Sequence, residues 1–212
     1  MSSITQQLTT IAPEIESFGA GGQMYMASIW GGENVRNERI MPLFAFSAND
    51  TNHENAAQLT NLMEARKVGS TMAFRATRLG FRFLWLDSTA PTPQQVEEAK
   101  QLLASAIITL TVGNNETKVA EFSGLDLMQP IYVAGETAEG STTATSAFAA
   151  GLGGGIGWIP LTIPIEIQAN VNIGGTIKFT RPIPSNIKPA SDSDPALCAF
   201  AVILQGLKVV KS

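Results

Sequence analysis

From Thr71 to Asp87 the chain reads TMAFRATRLGFRFLWLD, with apolar and polar residues alternating as they do along a β-strand that buries one face. The alternation changes parity partway. Met72, Phe74 and Ala76 share one set of positions, and Leu79, Phe81, Phe83 and Trp85 share the other. An odd-numbered step of this kind, next to Gly80, predicts a β-bulge or bend in a long, half-buried strand.

The same pattern yields further elements on both sides. MYMASIW (24–30) and IMPLFAF (40–46) are strand candidates, and Pro42 places the second at a sheet edge or a bulge, because proline gives a ladder no donor. Ala56, Leu59, Leu62 and Met63 recur at helical steps and predict a short helix in a connection. The clearest helix is 94–105, preceded by Pro91 and Pro93, with Thr92 as a candidate cap and Glu97 and Glu98 expected in its first turn. A hairpin follows: Ile108, Leu110 and Val112 alternate with threonines, Gly-Asn-Asn turns, and Val119 to Phe122 returns.

Residues 135–157 are small, polar and glycine-rich, and predict a long surface loop with one strand through 144–152. The last third is strand punctuated by proline, with a solvated turn at SDSDP. In TIKFT, Ile177 and Phe179 face one way while Thr176, Lys178 and Thr180 face the other. From Leu197 to Leu204 the closing strand is apolar on both faces, which predicts a central position between two layers. Eight to ten strands and few helices fit an all-β fold, an antiparallel sandwich in which residues 23–212 form one domain and residues 1–22 an N-terminal arm. There is no internal repeat, which disfavours a propeller or solenoid.

Composition changes the picture from a packed sandwich to an associating one. Charged residues make up 15% of the 212-residue chain, against about 25% in an ordinary soluble domain. So sparse a charge predicts that part of the surface is buried against neighbouring subunits. A net charge of -4 leaves no global positive excess for a nucleic-acid backbone, so sequence-specific nucleic-acid binding is not expected. Arg75, Arg78 and Arg82 lie among Phe and Trp, where a subunit contact suits them as well as a phosphate. The lone Cys198 sits in an apolar run and cannot form an intrachain disulfide. Neither a secretory leader nor a membrane-spanning run is visible, so the expectation is assembly in a cytoplasm, with contact to an internal membrane left open. The sequons at Asn49 and Asn115 then carry no weight.

The candidates for chemistry are weak. His53, the one histidine, lies in the polar loop NDTNHEN and reads as an exposed loop residue, with no Gly-x-Ser-x-Gly turn to partner it. GLGGGIG at 151–157 lacks the spacing, the following helix and the distal acid of a dinucleotide fingerprint, and no phosphate loop follows. Asp192 and Asp194 are too few for a calcium site, and Glu97 and Glu98 are neighbours on different helix faces. Trp30, Trp85 and Trp158 sit in apolar runs that favour packing over a sugar platform. No catalytic, cofactor-binding or metal-ligating residues are assigned, and an enzyme is not expected.

The order of a long bent strand, an inserted helix, a hairpin, a glycine-rich loop, IPLTIPIEI, TIKFTRP and the closing CAFAVILQGLKVV resembles jelly-roll capsid proteins of prokaryotic viruses. The likeness is one of pattern over roughly residues 70–212 and carries no site residues. It implies an eight-stranded jelly roll that self-assembles into an icosahedral shell around a genome. Its partners would be copies of itself and other virion proteins, and its place the virion. The alternatives are a receptor- or carbohydrate-binding sandwich of the spike kind and a tail-tube protein.

Overall fold

The computed structural model describes residues 22–128 and 158–211. The alternating segments form eight strands: β1 (Gly22–Asn34), β2 (Ile40–Leu43), β3 (Met72–Trp85), β4 (Ala106–Val112), β5 (Thr117–Ser123), β6 (Ile159–Ile167), β7 (Ile173–Phe179) and β8 (Cys198–Lys211). Among the described residues three short helices lie in the connections: α1 (Ala56–Leu59), α2 (Pro93–Ala104) and α3 (Gly124–Met128). The predicted arm apart from Gly22, and the predicted loop and strand between 135 and 157, lie outside the described residues.

The strands make two four-stranded antiparallel sheets, in the orders β1-β8-β3-β6 and β2-β7-β4-β5. The pairing is nested: β1 with β8, β2 with β7, β3 with β6 and β4 with β5. The chain therefore runs out and back along itself like one long hairpin whose successive pairs fall alternately in the two sheets.

One apolar core joins the inner faces. Ile29, Phe74, Leu79, Phe81, Phe83, Phe200, Val202 and Leu204 from the first sheet cluster with Met41, Leu43, Ile108, Leu110, Ile177 and Phe179 from the second. Phe200 sits among three rings, with centroids 5.3 Å from Phe81, 5.2 Å from Phe83 and 5.8 Å from Phe179. Tilted contacts at these distances add aromatic attraction to the area each ring removes from water. Helix α2 closes the core with Val96, Ala99, Leu102 and Leu103.

The parity change in β3 is a bulge at Thr77, three residues before the predicted Gly80. It lets Ala76 and Leu79 both face the core. Opposite Ala76 on β8 stands Gly206, where an added Cβ would lie 1.9 Å from the Arg75 carbonyl oxygen, so the close approach beside the bulge requires glycine. On the other side, residues 161–164 of β6 stand opposite this same point, so β6 leaves the ladder there and Ile163 is exposed.

Strand β8 is buried from Cys198 to Leu204 on both faces, as its continuous apolar run predicts. Its outer cover is the connection after β2: Phe46, Ala56 and Leu59 pack with Ala199, flanked by Ala45, Leu84 and Leu86. Phe44, fully buried with φ 59°, turns the chain into this cover, and its ring lies against Gly31, where a Cβ would come within 2.3 Å. Helix α1 stops at Leu59 because Thr60 is extended, so Leu62 is buried while Met63, expected on the same face, is 70% exposed.

Helix α2 is capped by Thr92 as predicted, but its first turn holds no acidic residue. The Thr92 hydroxyl accepts from the Gln95 N–H, and the Gln95 side chain accepts from the Thr92 N–H, forming a capping box. Glu97 and Glu98 lie beyond the first turn, where they accept from Gln101 and Gln94 across one helical step.

Candidate functional site

At the end of the sandwich where β1 finishes, a polar clamp ties three loops together. Arg36, just after β1, donates Nη2 to Glu54 Oε2 at 2.7 Å and Nη1 to the backbone oxygens of Asp192 and Asp194 at 2.9 and 3.1 Å. Glu54 also accepts the Ala196 N–H, and its carbonyl accepts from Asn34 Nδ2. Asn37 donates to Asp192 Oδ1 and accepts from Lys188 Nζ. These bonds fix the loop 36–39, the outer cover and the turn before β8 relative to one another.

His53 belongs to this clamp and is half-buried, not the exposed loop residue the sequence predicts. Its ring stacks on Phe46 with centroids 3.6 Å apart, Nε2 lies 2.8 Å from Glu33 Oε1, and Nδ1 lies 2.8 Å from the Glu54 carbonyl oxygen. Each ring nitrogen thus lies within hydrogen-bond distance of an oxygen. With both nitrogens so engaged, the imidazole fastens the outer cover to β1. Asp192 and Asp194 are likewise occupied in holding Arg36 and Asn37 and in closing their own turn through Ser191. Among the described residues no group of three His, Cys, Asp or Glu side chains is placed to hold a metal ion.

The bulge at Thr77 brings Arg75, Arg78 and Arg82 onto one face, the outer side of the first sheet. Arg75 Nε lies 3.4 Å from Glu166 Oε1, so this end of the row is charge-compensated. The tryptophans stand apart, Trp30 and Trp85 on different strands. Trp30 lies on β1, where its backbone N–H donates to Asn61 Oδ1, Trp85 donates its indole N–H to the Thr89 carbonyl at 2.6 Å, and Trp158 precedes β6. The glycine run 151–157 lies outside the described residues.

Three titratable groups are displaced from their ordinary ranges. Burial pushes the Cys198 thiol far up, and its Sγ donates to the Ile187 carbonyl at 3.2 Å. The Lys118 ammonium, 2.9 Å away, holds the Glu121 carboxyl down, and the hydroxyl and N–H of Thr89 do the same for Asp87. Open clefts interrupt the described surface. One, of about 500 Å³, runs between α2 and Arg181–Pro184; another, of about 390 Å³, lies beside the clamp between Glu33 and Pro42.

The exposed apolar side chains are the remaining surface feature. Met24, Tyr25 and Met26 are 39%, 46% and 62% exposed in succession on β1, a run that the alternation of a half-buried strand does not explain. The sequence marks MYM only as strand, because periodicity cannot tell an apolar residue that faces a core from one that faces a partner. No helix among the described residues is long and apolar enough to cross a membrane. Comparison with known protein families, with curated proteins and with solved structures finds no match to this chain.

Proposed function

We propose that this chain is a jelly-roll coat subunit whose copies assemble into a closed icosahedral shell around the genome of a prokaryotic virus. The observation that carries it is the nested strand pairing, 1 with 8, 2 with 7, 3 with 6 and 4 with 5, divided between two four-stranded sheets. That order is what a hairpin of eight strands gives when it is rolled into a double-sheet jelly roll, an architecture found in viral capsid and lectin domains.

Among jelly rolls, a coat role is favoured by the low charge, by three consecutive exposed apolar residues on an edge strand, and by polar groups that the fold itself occupies. A shell subunit acts through shape: identical copies must meet through surfaces that close. Modest acidity keeps the free subunit soluble without strong repulsion at contact. The rigid sandwich with its clamped loops suits a building block that carries the same shape into every position.

Negative-stain electron microscopy of the purified chain at rising concentration tests this proposal. Closed particles of uniform diameter are expected. Open tubes would replace the shell by a tail-tube protein, and a persistent monomer that binds glycans would replace it by a spike-like binding module.

A further inference from the structure

Each of the two sheets has two edge strands, and three of the four edges are blunted. Strand β2 is four residues long and contains Pro42. Strand β5 carries the Lys118–Glu121 ion pair on its exposed surface. Strand β6 contains Pro160 and Pro164 and leaves the ladder between them. Prolines, charges, shortness and bulges are the devices by which sheet proteins prevent edge-to-edge pairing.

The fourth edge, β1, is treated differently along its length. Its second half is covered by residues 60–61. The Trp30 N–H donates to Asn61 Oδ1 at 3.0 Å, the Trp30 carbonyl accepts from the Thr60 hydroxyl at 3.0 Å, and the Ser28 carbonyl accepts from Asn61 Nδ2 at 2.9 Å. These bonds also show which backbone groups point away from β8: those of Ser28 and Trp30. By the alternation of an antiparallel ladder, the N–H and C=O groups of Met24 and Met26 point outward too. Among the described residues none bonds to them. The stretch GQMYMAS, 22–28, has no proline and no charge.

We infer that the first half of β1 is a homotypic pairing edge, occupied by the same edge of a second copy of this chain in antiparallel register about Tyr25. The choice of a second copy rests on the coat-subunit proposal; the openness of the edge does not. With the other three edges blunted, β1 is the edge left to receive β1. The register follows from the geometry. Centred on Tyr25, it sets Met24 opposite the partner's Met26, so outward N–H and C=O groups meet their complements on both sides of the two-fold axis. The four methionines gather on the outer face, and no like charges oppose one another along 22–28. The two first sheets become one continuous eight-stranded sheet. A strand pair this short buries less than the roughly 1,200 Å² of a stand-alone stable interface, which suits a contact held by the closure of a larger assembly.

Cysteine cross-linking of the full chain tests the register. In a non-hydrogen-bonded antiparallel pair, two Tyr25 Cα atoms would lie about 4.5 Å apart, within disulfide reach. Two Gln23 Cα atoms would lie about 13 Å apart, beyond it. Cys198, buried, stays out of the reaction. On mild oxidation Tyr25→Cys is expected to give a dimer that reductant reverses, Gln23→Cys none, and Tyr25→Cys with Met26→Lys little, each variant retaining its β-sheet circular dichroism. Absence of the Tyr25→Cys dimer, or equal dimer from Gln23→Cys, overturns the inference. So does a dimer that forms only after residues 1–21 are removed, which would make the chain's own leading segment the occupant. Microscopy of the same samples separates the two proposals: particles without the cross-link remove the edge and keep the coat subunit, and the cross-linked dimer without particles does the reverse.

Discussion

The two halves of the first sheet are built from the same three long strands, β1, β8 and β3, yet they are finished differently. Around Trp30–Asn34, Gly80–Trp85 and Cys198–Leu204, the inner face meets the core, the outer face is covered by the connection after β2, and the β1 edge is capped by Thr60 and Asn61. Around Gly22–Ala27 and Gly206–Lys211, the edge has no cap among the described residues, and Met24, Tyr25 and Met26 are exposed. One half is completed within the subunit; the other is left as though a further layer were to be added. Substitutions in the two halves should therefore separate stability from association.

The largest effect on folding is expected in the finished half. Phe81, 3% exposed and packed on Phe200, should cost about 3–5 kcal/mol as Phe81→Ala, read from a denaturant melt. A cost below about 1 kcal/mol would place the ring outside the core. Leu59→Ala probes the outer cover separately. Leu59 is fully buried against the back of the sheet, so its truncation should cost about 2 kcal/mol or more. A near-zero cost would mean that the cover adds little, and the contrast between the halves would collapse.

The finished half was the more legible of the two in the sequence. CAFAVIL, apolar at consecutive positions, can be satisfied only with cover on both faces, and β8 has that cover. Pro42 marked an edge, Thr92 a helix start, and Gly113, with φ 94°, the hairpin turn. The sequence shows the step in β3 but not its position. Any break between Ala76 and Leu79 gives the same burial parity, and the close approach needs Gly206 on the neighbouring strand, not Gly80. The clamp was not legible, because Arg36 meets Asp192 and Asp194 across more than 150 residues, a juxtaposition that only the nested topology creates. His53 reads as exposed for the same reason: polar neighbours in sequence say nothing of Glu33, twenty residues away on β1.

Thiol chemistry gives a smaller and cleaner check on the finished half. Cys198 is buried with its pKa raised, so it stays a neutral thiol across the physiological range. Its modification by an exposed-thiol reagent should occur only at the rate of unfolding, and prompt labelling of the native chain would contradict the two-sided burial of β8. In the open half, Met26→Lys should change stability by no more than about 0.5 kcal/mol, as exposed substitutions do, while weakening association. A large loss of stability there would show that the edge is already packed within the subunit.

The smallest effect lies on the other sheet. Glu121 has its carboxyl pKa lowered by Lys118, so its contribution to stability is present above the unfolded-state value and fades as pH falls through the folded-state value. Lys118→Ala should flatten that part of the acid limb slightly, because the pair is exposed. A steeper acid limb in the variant would reverse the sign.

Sedimentation velocity of the full chain over a range of concentrations tests the central claim most directly. A closed shell predicts two boundaries, a slow subunit and one discrete fast species, with little between them, because closure makes assembly cooperative. A single slow boundary at every concentration, or a fast boundary that keeps growing with concentration as an open polymer's does, would contradict it.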